Sequence, residues 1–142
     1  MSIDPYKDHY VTMIEAGFIA VNQSDEDSAV KLFKAAELLN PGNFLCQLGI
    51  GYLHLCKLEL KQASKIFSDV LEKEPENDIA KAFLGISLSL NPAEVDKGSA
   101  ILKETDSKTK DPLLKNMTSN AIAFVEKFVK KAPTPAQGPI KK

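Results

Sequence analysis

The sequence predicts an all-α fold of stacked helical hairpins, and two observations carry that expectation. The first is hydrophobic spacing. Apolar residues recur at i, i+3, i+4 and i+7 over most of the chain, with no sustained two-residue alternation that would mark strands. The second is a recurrence at one fixed interval. Gly17, Gly51 and Gly85 are evenly spaced, and the same step joins Ala29 to Ala63, Phe33 to Phe67, and Pro41 to Pro75. Asn43, Asn77 and Asp111 fall in the same register, and short polar side chains of this kind favour helix N-caps because their oxygens accept a free backbone N–H.

Each element follows from this frame. Residues 1–9 form a polar lead-in. A first helix over 10–22 places Val11, Met13, Ile14, Gly17, Phe18 and Val21 on one side. Ser24-Asp25-Glu26-Asp27 reads as a loop and helix start, with Ser24 able to cap and the acids favoured at the positive end of the helix dipole. The second helix, 25–39, turns Ala29, Leu32, Phe33, Ala36 and Leu39 inward, and Asn40-Pro41-Gly42 ends it. The third, 44–57, is apolar nearly all round and therefore needs neighbours on most sides. The fourth, 59–73, is amphipathic and stops at Glu74-Pro75-Glu76-Asn77. A fifth helix spans 78–90. A sixth is expected over 92–105, with Asn91 as N-cap and Pro92 as its first residue. This third hairpin reads as degenerate, because Lys97 stands where the others have Ala and Ile101 where they have Phe. A longer helix, 112–131, carries Leu113, Leu114, Met117, Ala121, Phe124, Val125 and Phe128 on one side and is placed to close the stack. The tail, 132–142, is proline-rich and is expected to be disordered. The folded domain is thus 10–131.

Composition narrows the function. The chain has 142 residues, 44% of them hydrophobic, and a formal net charge of −1. That balance argues against nucleic acid or an anionic membrane as the main target. The longest apolar run, Phe44 to Cys56, falls short of the roughly 20 residues needed to span a bilayer. No signal peptide is evident in MSIDPYKDHY. Cys46 and Cys56 lie about 15 Å apart on one helix, too far to pair, and read as buried free thiols in a reducing cytoplasm. His9 and His54 lack metal-site spacing, and His54 reads as a partly buried, hydrogen-bonded histidine. Gly49-Ile50-Gly51 has neither the third glycine nor the preceding strand of a dinucleotide fingerprint. The expectation is a non-enzymatic binding protein with no cofactor and no metal.

The repeat period, about 34 residues, with glycine, alanine, phenylalanine and proline at positions 8, 20, 24 and 32, resembles the tetratricopeptide repeat. The resemblance implies three repeats, the third degenerate, and a concave groove lined by positions 2, 5, 9 and 12 of each first helix. Here those are Val11, Ile14, Phe18 and Val21; Leu45, Leu48, Tyr52 and Leu55; and Ile79, Ala82, Ile86 and Ser89. Modules of this family that clamp acidic chaperone C-termini carry Lys and Asn at positions 5 and 9, where this chain has Ile14 and Phe18. An apolar groove implies an apolar helix or extended segment as cargo. In size, repeat number and the Asp111-Pro112 step before the last helix, the chain is most similar to the needle-subunit chaperones of bacterial type III secretion. That resemblance implies a cytoplasmic chaperone holding the amphipathic helix of a secreted needle protein, with a small helical co-chaperone. Translocator chaperones of the same systems, or a general scaffold or assembly factor, are the alternatives.

Overall fold

A computed structural model of the chain describes residue 2 and residues 4–130. Among these the structure is all-helical, with no strand. A short 3-10 segment, Asp4–His9, leads into α1 (Tyr10–Asn22), α2 (Glu26–Leu39), α3 (Leu45–Cys56), α4 (Leu60–Lys73), α5 (Asp78–Ser89), α6 (Val95–Lys108) and α7 (Pro112–Phe124), the last running on into a π-helical turn, Val125–Val129. Helices pair as α1–α2, α3–α4 and α5–α6, and each pair packs on the next through α2–α3, α1–α3 and α4–α5. The expected tail, 132–142, lies outside the described residues, as does residue 131.

The hairpins close on a glycine and an aromatic ring. A Cβ on Gly17 would sit 2.5 Å from the Phe33 ring, and one on Gly51 would sit 2.5 Å from the Phe67 ring. The missing side chain lets the first helix of each pair lie against the ring of the second. Phe33 and Phe67 are 1% and 0% exposed, and burying each contributes roughly 1.5–3 kcal/mol. Ala29 and Ala63, both fully buried, let the paired backbones approach near the turn. Gly49 abuts the Phe33 ring too, so this one side chain joins the first hairpin to the second.

The first two turns share one conformation. Ser24 (φ 61°) and Leu58 (φ 60°), which occupy the same place in successive repeats, both adopt the left-handed region. The following N–H groups, of Asp25 and Glu59, donate back to Ala20 and His54 at 2.8 and 2.9 Å. These bonds satisfy carbonyls that the helix ends would otherwise leave open. Ser24 is thus spent on the turn, and the N-cap expected of it is supplied by Asp25, whose side chain accepts from Ser28 N–H at 3.1 Å.

The third turn cannot copy them. Pro92 occupies the equivalent place, and its ring locks φ at a negative value. The chain takes extra residues to come round, and α6 begins at Val95, not at Pro92. Asn91 does accept from Ala93 N–H at 3.0 Å, but it caps a turn and not the helix. The delay moves the register by one. Gly85 packs on Leu102, where the sequence register points to Ile101. Gly98, not Lys97, takes the small-residue position, against Ser89 and the carbonyl of Gly85. The third hairpin is therefore displaced by one residue and keeps the seam of the other two; Lys97 is simply exposed.

The last helix departs from expectation as well. Asp111 caps it, accepting from Leu113 N–H at 2.9 Å, with Pro112 as its first residue. Leu114, Thr118 and Val125 are buried against the preceding hairpin. Leu113, Phe124 and Phe128, however, are exposed. A polar joint also links α6 to α7. Asp106, at the end of α6, accepts from Thr118 and Ser119 hydroxyls at 2.7 Å each and from Lys115 Nζ at 3.0 Å. Those bonds hold its carboxyl down at a pKa of about 2, the Ser119 hydroxyl being the largest cause, then Thr118 and Lys115.

Candidate partner-binding face

The twelve residues expected to line a groove separate into two sets. Ile14, Leu48 and Ala82 are 6%, 1% and 0% exposed, and Val21 and Leu55 are also buried. All five lie in the seams between helices, as core, and present no surface to a partner; Ser89 is buried too. The reason is the tight stacking of α1, α3 and α5, which the sequence pattern of any one helix does not reveal.

The other six form the surface. Val11 and Ile79 are exposed and Leu45 is half-buried between them in register. Adding the same interval once more reaches Leu113, the most exposed large apolar side chain of the described residues at 82%. Phe18, Tyr52 and Ile86 are half-buried about two turns further along the same helices. Phe124 follows Leu113 by about three helical turns and so shares its face of α7, and Phe128, in the π-helical turn beyond, packs against it with ring centroids 5.0 Å apart. The last helix thus continues the apolar stripe of the first helices.

Aromatic rings run beneath this stripe. Phe18 lies 5.4 Å from Phe33, edge to face, and 5.5 Å from Tyr52; Tyr52 stacks on Phe83 at 5.5 Å, and Phe83 contacts Phe67 at 5.2 Å. Pairs with these spacings contribute about 0.5–1.5 kcal/mol beyond their area, and they couple three hairpins into one surface. Tyr52 also donates to Asn22 Oδ1 at 2.8 Å. Burial is the main reason its hydroxyl pKa rises to about 12, with Cys56 beside it adding to the shift, so the phenol stays a donor. Phe83 was not legible as a site residue, because its counterpart one repeat earlier is Gly49.

Of the thiols, Cys46 is buried, whereas Cys56 is exposed at the end of α3, contrary to expectation, because the helix stops there and the chain turns away. His54 is half-buried and bonded to Glu59 at 2.5 Å, next to the Leu58 turn. Lys57 joins Glu59 to Glu26 of α2, at 3.1 and 3.0 Å. Among the described residues, no group of three or more His, Cys, Asp or Glu side chains is placed to hold a metal ion. None of these helices is long and apolar enough to cross a membrane.

No protein-family model matches the sequence, and no curated protein or solved structure matches it significantly.

Proposed function

We propose that this protein is a tetratricopeptide-type chaperone of the bacterial cytoplasm, working by binding and not by catalysis. Its cargo is the amphipathic helix of a secreted subunit, of the type III secretion needle kind, and a small helical co-chaperone completes the complex. The observation that carries this reading is the stripe Val11, Leu45, Ile79, Leu113, with Phe18, Tyr52 and Ile86 half-buried beside it. Soluble proteins seldom leave so many large apolar groups in one register without a use for them. Phe18, Tyr52 and Ile86 stand where a clamp for an acidic peptide would need cations, and a face several helices wide suits a helix laid across it.

Each large side chain covered by cargo contributes roughly 1.5–3 kcal/mol before ordering costs are deducted. The test is a cargo pull-down with a needle-type helical subunit, alongside circular dichroism. Val11→Asp and Ile79→Glu alter exposed positions, so both are expected to fold and to lose affinity by at least about tenfold. Leu48→Glu and Phe33→Glu, at buried positions, are expected to unfold the chain. Full cargo binding by the folded Val11→Asp, Ile79→Glu double variant would rule out this face as the site.

A further inference from the structure

We propose that the last helix is a dimerisation element: α7 of one copy packs antiparallel on α7 of a second copy, about a two-fold axis that passes beside Asn120. Leu113, Met117, Asn120 and Phe124 follow one another at alternating steps of four and three residues, the spacing of a seam between two helices. Leu113 and Phe124 are 82% and 48% exposed, and Phe128, 54% exposed, packs on Phe124 from the turn beyond. The charged groups next to this seam turn to α6, Lys115 to Asp106 and Glu126 to Lys103. The seam itself carries no charge before Lys127, at the end of a stack where a polar outer face is the rule. The other first helices, α1, α3 and α5, each pack on the helix that follows them. No helix follows α7 among the described residues, and a second copy supplies one.

The occupant is a second copy because the exposed side chains complement themselves. In an antiparallel pair every step forward on one helix is a step back on the other. Setting Met117 of one copy beside Phe124 of the other therefore brings Leu113 beside Phe128 and leaves Asn120 next to its own copy at the axis. Asn120 donates one N–H to Asn116 Oδ1 at 3.5 Å. An amide has a second N–H and a carbonyl oxygen with which to meet its copy, and an asparagine in such a seam fixes register. A parallel pair would set Lys127 and Lys130 of both copies side by side and align the helix dipoles, which antiparallel packing avoids. The area also fits. With about half of each ring open, Phe124 and Phe128 offer about 200 Å² per copy. Leu113, Met117, Asn120 and Ala123 bring two copies to roughly 1,000 Å², the lower bound for a specific interface. The dimer is therefore a reversible one.

Sedimentation equilibrium of the full chain without cargo is expected to show monomer and dimer in exchange and nothing larger. Leu113→Glu and Phe124→Glu should each weaken the dimer by at least about tenfold. Val11→Asp and Ile79→Glu, away from α7, should leave it unchanged. Melting curves check that each variant folds, and Leu113→Glu, at the most exposed position, carries the test if Phe124→Glu does not fold. Cysteine pairing in a Cys56→Ala background reads the register. Asn120→Cys should form an intermolecular disulfide on mild oxidation. Leu113→Cys alone should not, because its two copies lie about 22 Å apart along the helices, against the roughly 7 Å that a disulfide allows; mixed with Phe128→Cys it should. A monomer at all concentrations, open-ended growth, wild-type dimerisation by folded Leu113→Glu, loss of the dimer in the groove variants, or self-pairing of Leu113→Cys as readily as of Asn120→Cys would each overturn the proposal. No cargo enters the test, so its failure leaves the cargo reading standing.

Discussion

Replacing Gly98 by alanine tests the displaced register of the third hairpin. A Cβ there would press on the Ser89 amide nitrogen and lie 2.5 Å from Ser89 Oγ and 2.7 Å from the Gly85 carbonyl oxygen. Two of those atoms are backbone, so relief requires α5 and α6 to move apart, not a side chain to swing. Overpacking of this kind costs about 1–3 kcal/mol, and backbone obstruction places it at the upper end. Alanine recovers about 1 kcal/mol of helix propensity over glycine. The net loss is then about 2 kcal/mol, which for a domain of this size lowers the midpoint of thermal unfolding by about 8 °C. Lys97→Ala is the companion. Lys97 is exposed, so the change is expected to fall within about 0.5 kcal/mol of wild type. Thermal melts followed by circular dichroism, with urea unfolding to separate stability from compactness, measure both. Were Lys97→Ala the more damaging of the two, or Gly98→Ala neutral, the one-residue displacement would be refuted.

Other expectations follow from the same packing. Leu58→Gly should stabilise the protein by about 1 kcal/mol in urea unfolding, because a left-handed conformation costs a residue with a Cβ about 1–2 kcal/mol and glycine's greater chain entropy offsets part of the gain; a destabilised variant would mean that the exposed Leu58 side chain contributes packing. Asp106 titrates at about 2 when folded, below its ordinary value of 3.8, so its contribution is complete above that value and is lost as pH falls through about 2. Asp106→Asn should flatten this acid limb and raise amide exchange in α7 at neutral pH, whereas unchanged exchange would show that the joint holds nothing. The protein alone, with Leu113, Phe124 and Phe128 exposed, should self-associate in sedimentation experiments and bind dyes for apolar surface, and cargo should suppress both. A clean monomer at high concentration without dye binding would contradict this.

Much of the fold was legible because its signals are local. A glycine facing a phenylalanine across a short turn leaves its mark in two residue types at fixed spacing, and helix amphipathicity needs only one helix to be seen. What stayed hidden depends on more than one element. The burial of Ile14, Leu48 and Ala82 reflects how closely three first helices stack. Phe83 joined the aromatic run only because Tyr52 and Phe67 converge on it. Asp106 reads as one acid among many until α7 brings three donors to it. The displaced third hairpin did leave a signal, in Pro92 and in Gly98 beside Lys97, but its meaning rests on the positive φ of Ser24 and Leu58, which sequence does not display.

The same register explains why the final helix leaves its apolar residues uncovered. Asp111 falls one repeat after Asn77 and caps α7 as Asn77 caps α5. The slack introduced before α6 is taken up before α7, so α7 re-enters the register of a first helix. A helix in that register turns Leu114, Thr118 and Val125 toward the hairpin behind it and Leu113 toward the common face. The glycine position falls on Ser119, whose hydroxyl donates to Asp106. α7 is thus tied back to α6. Its exposed Leu113 and Phe124, with Phe128 in the π-helical turn that follows, therefore lengthen the apolar face.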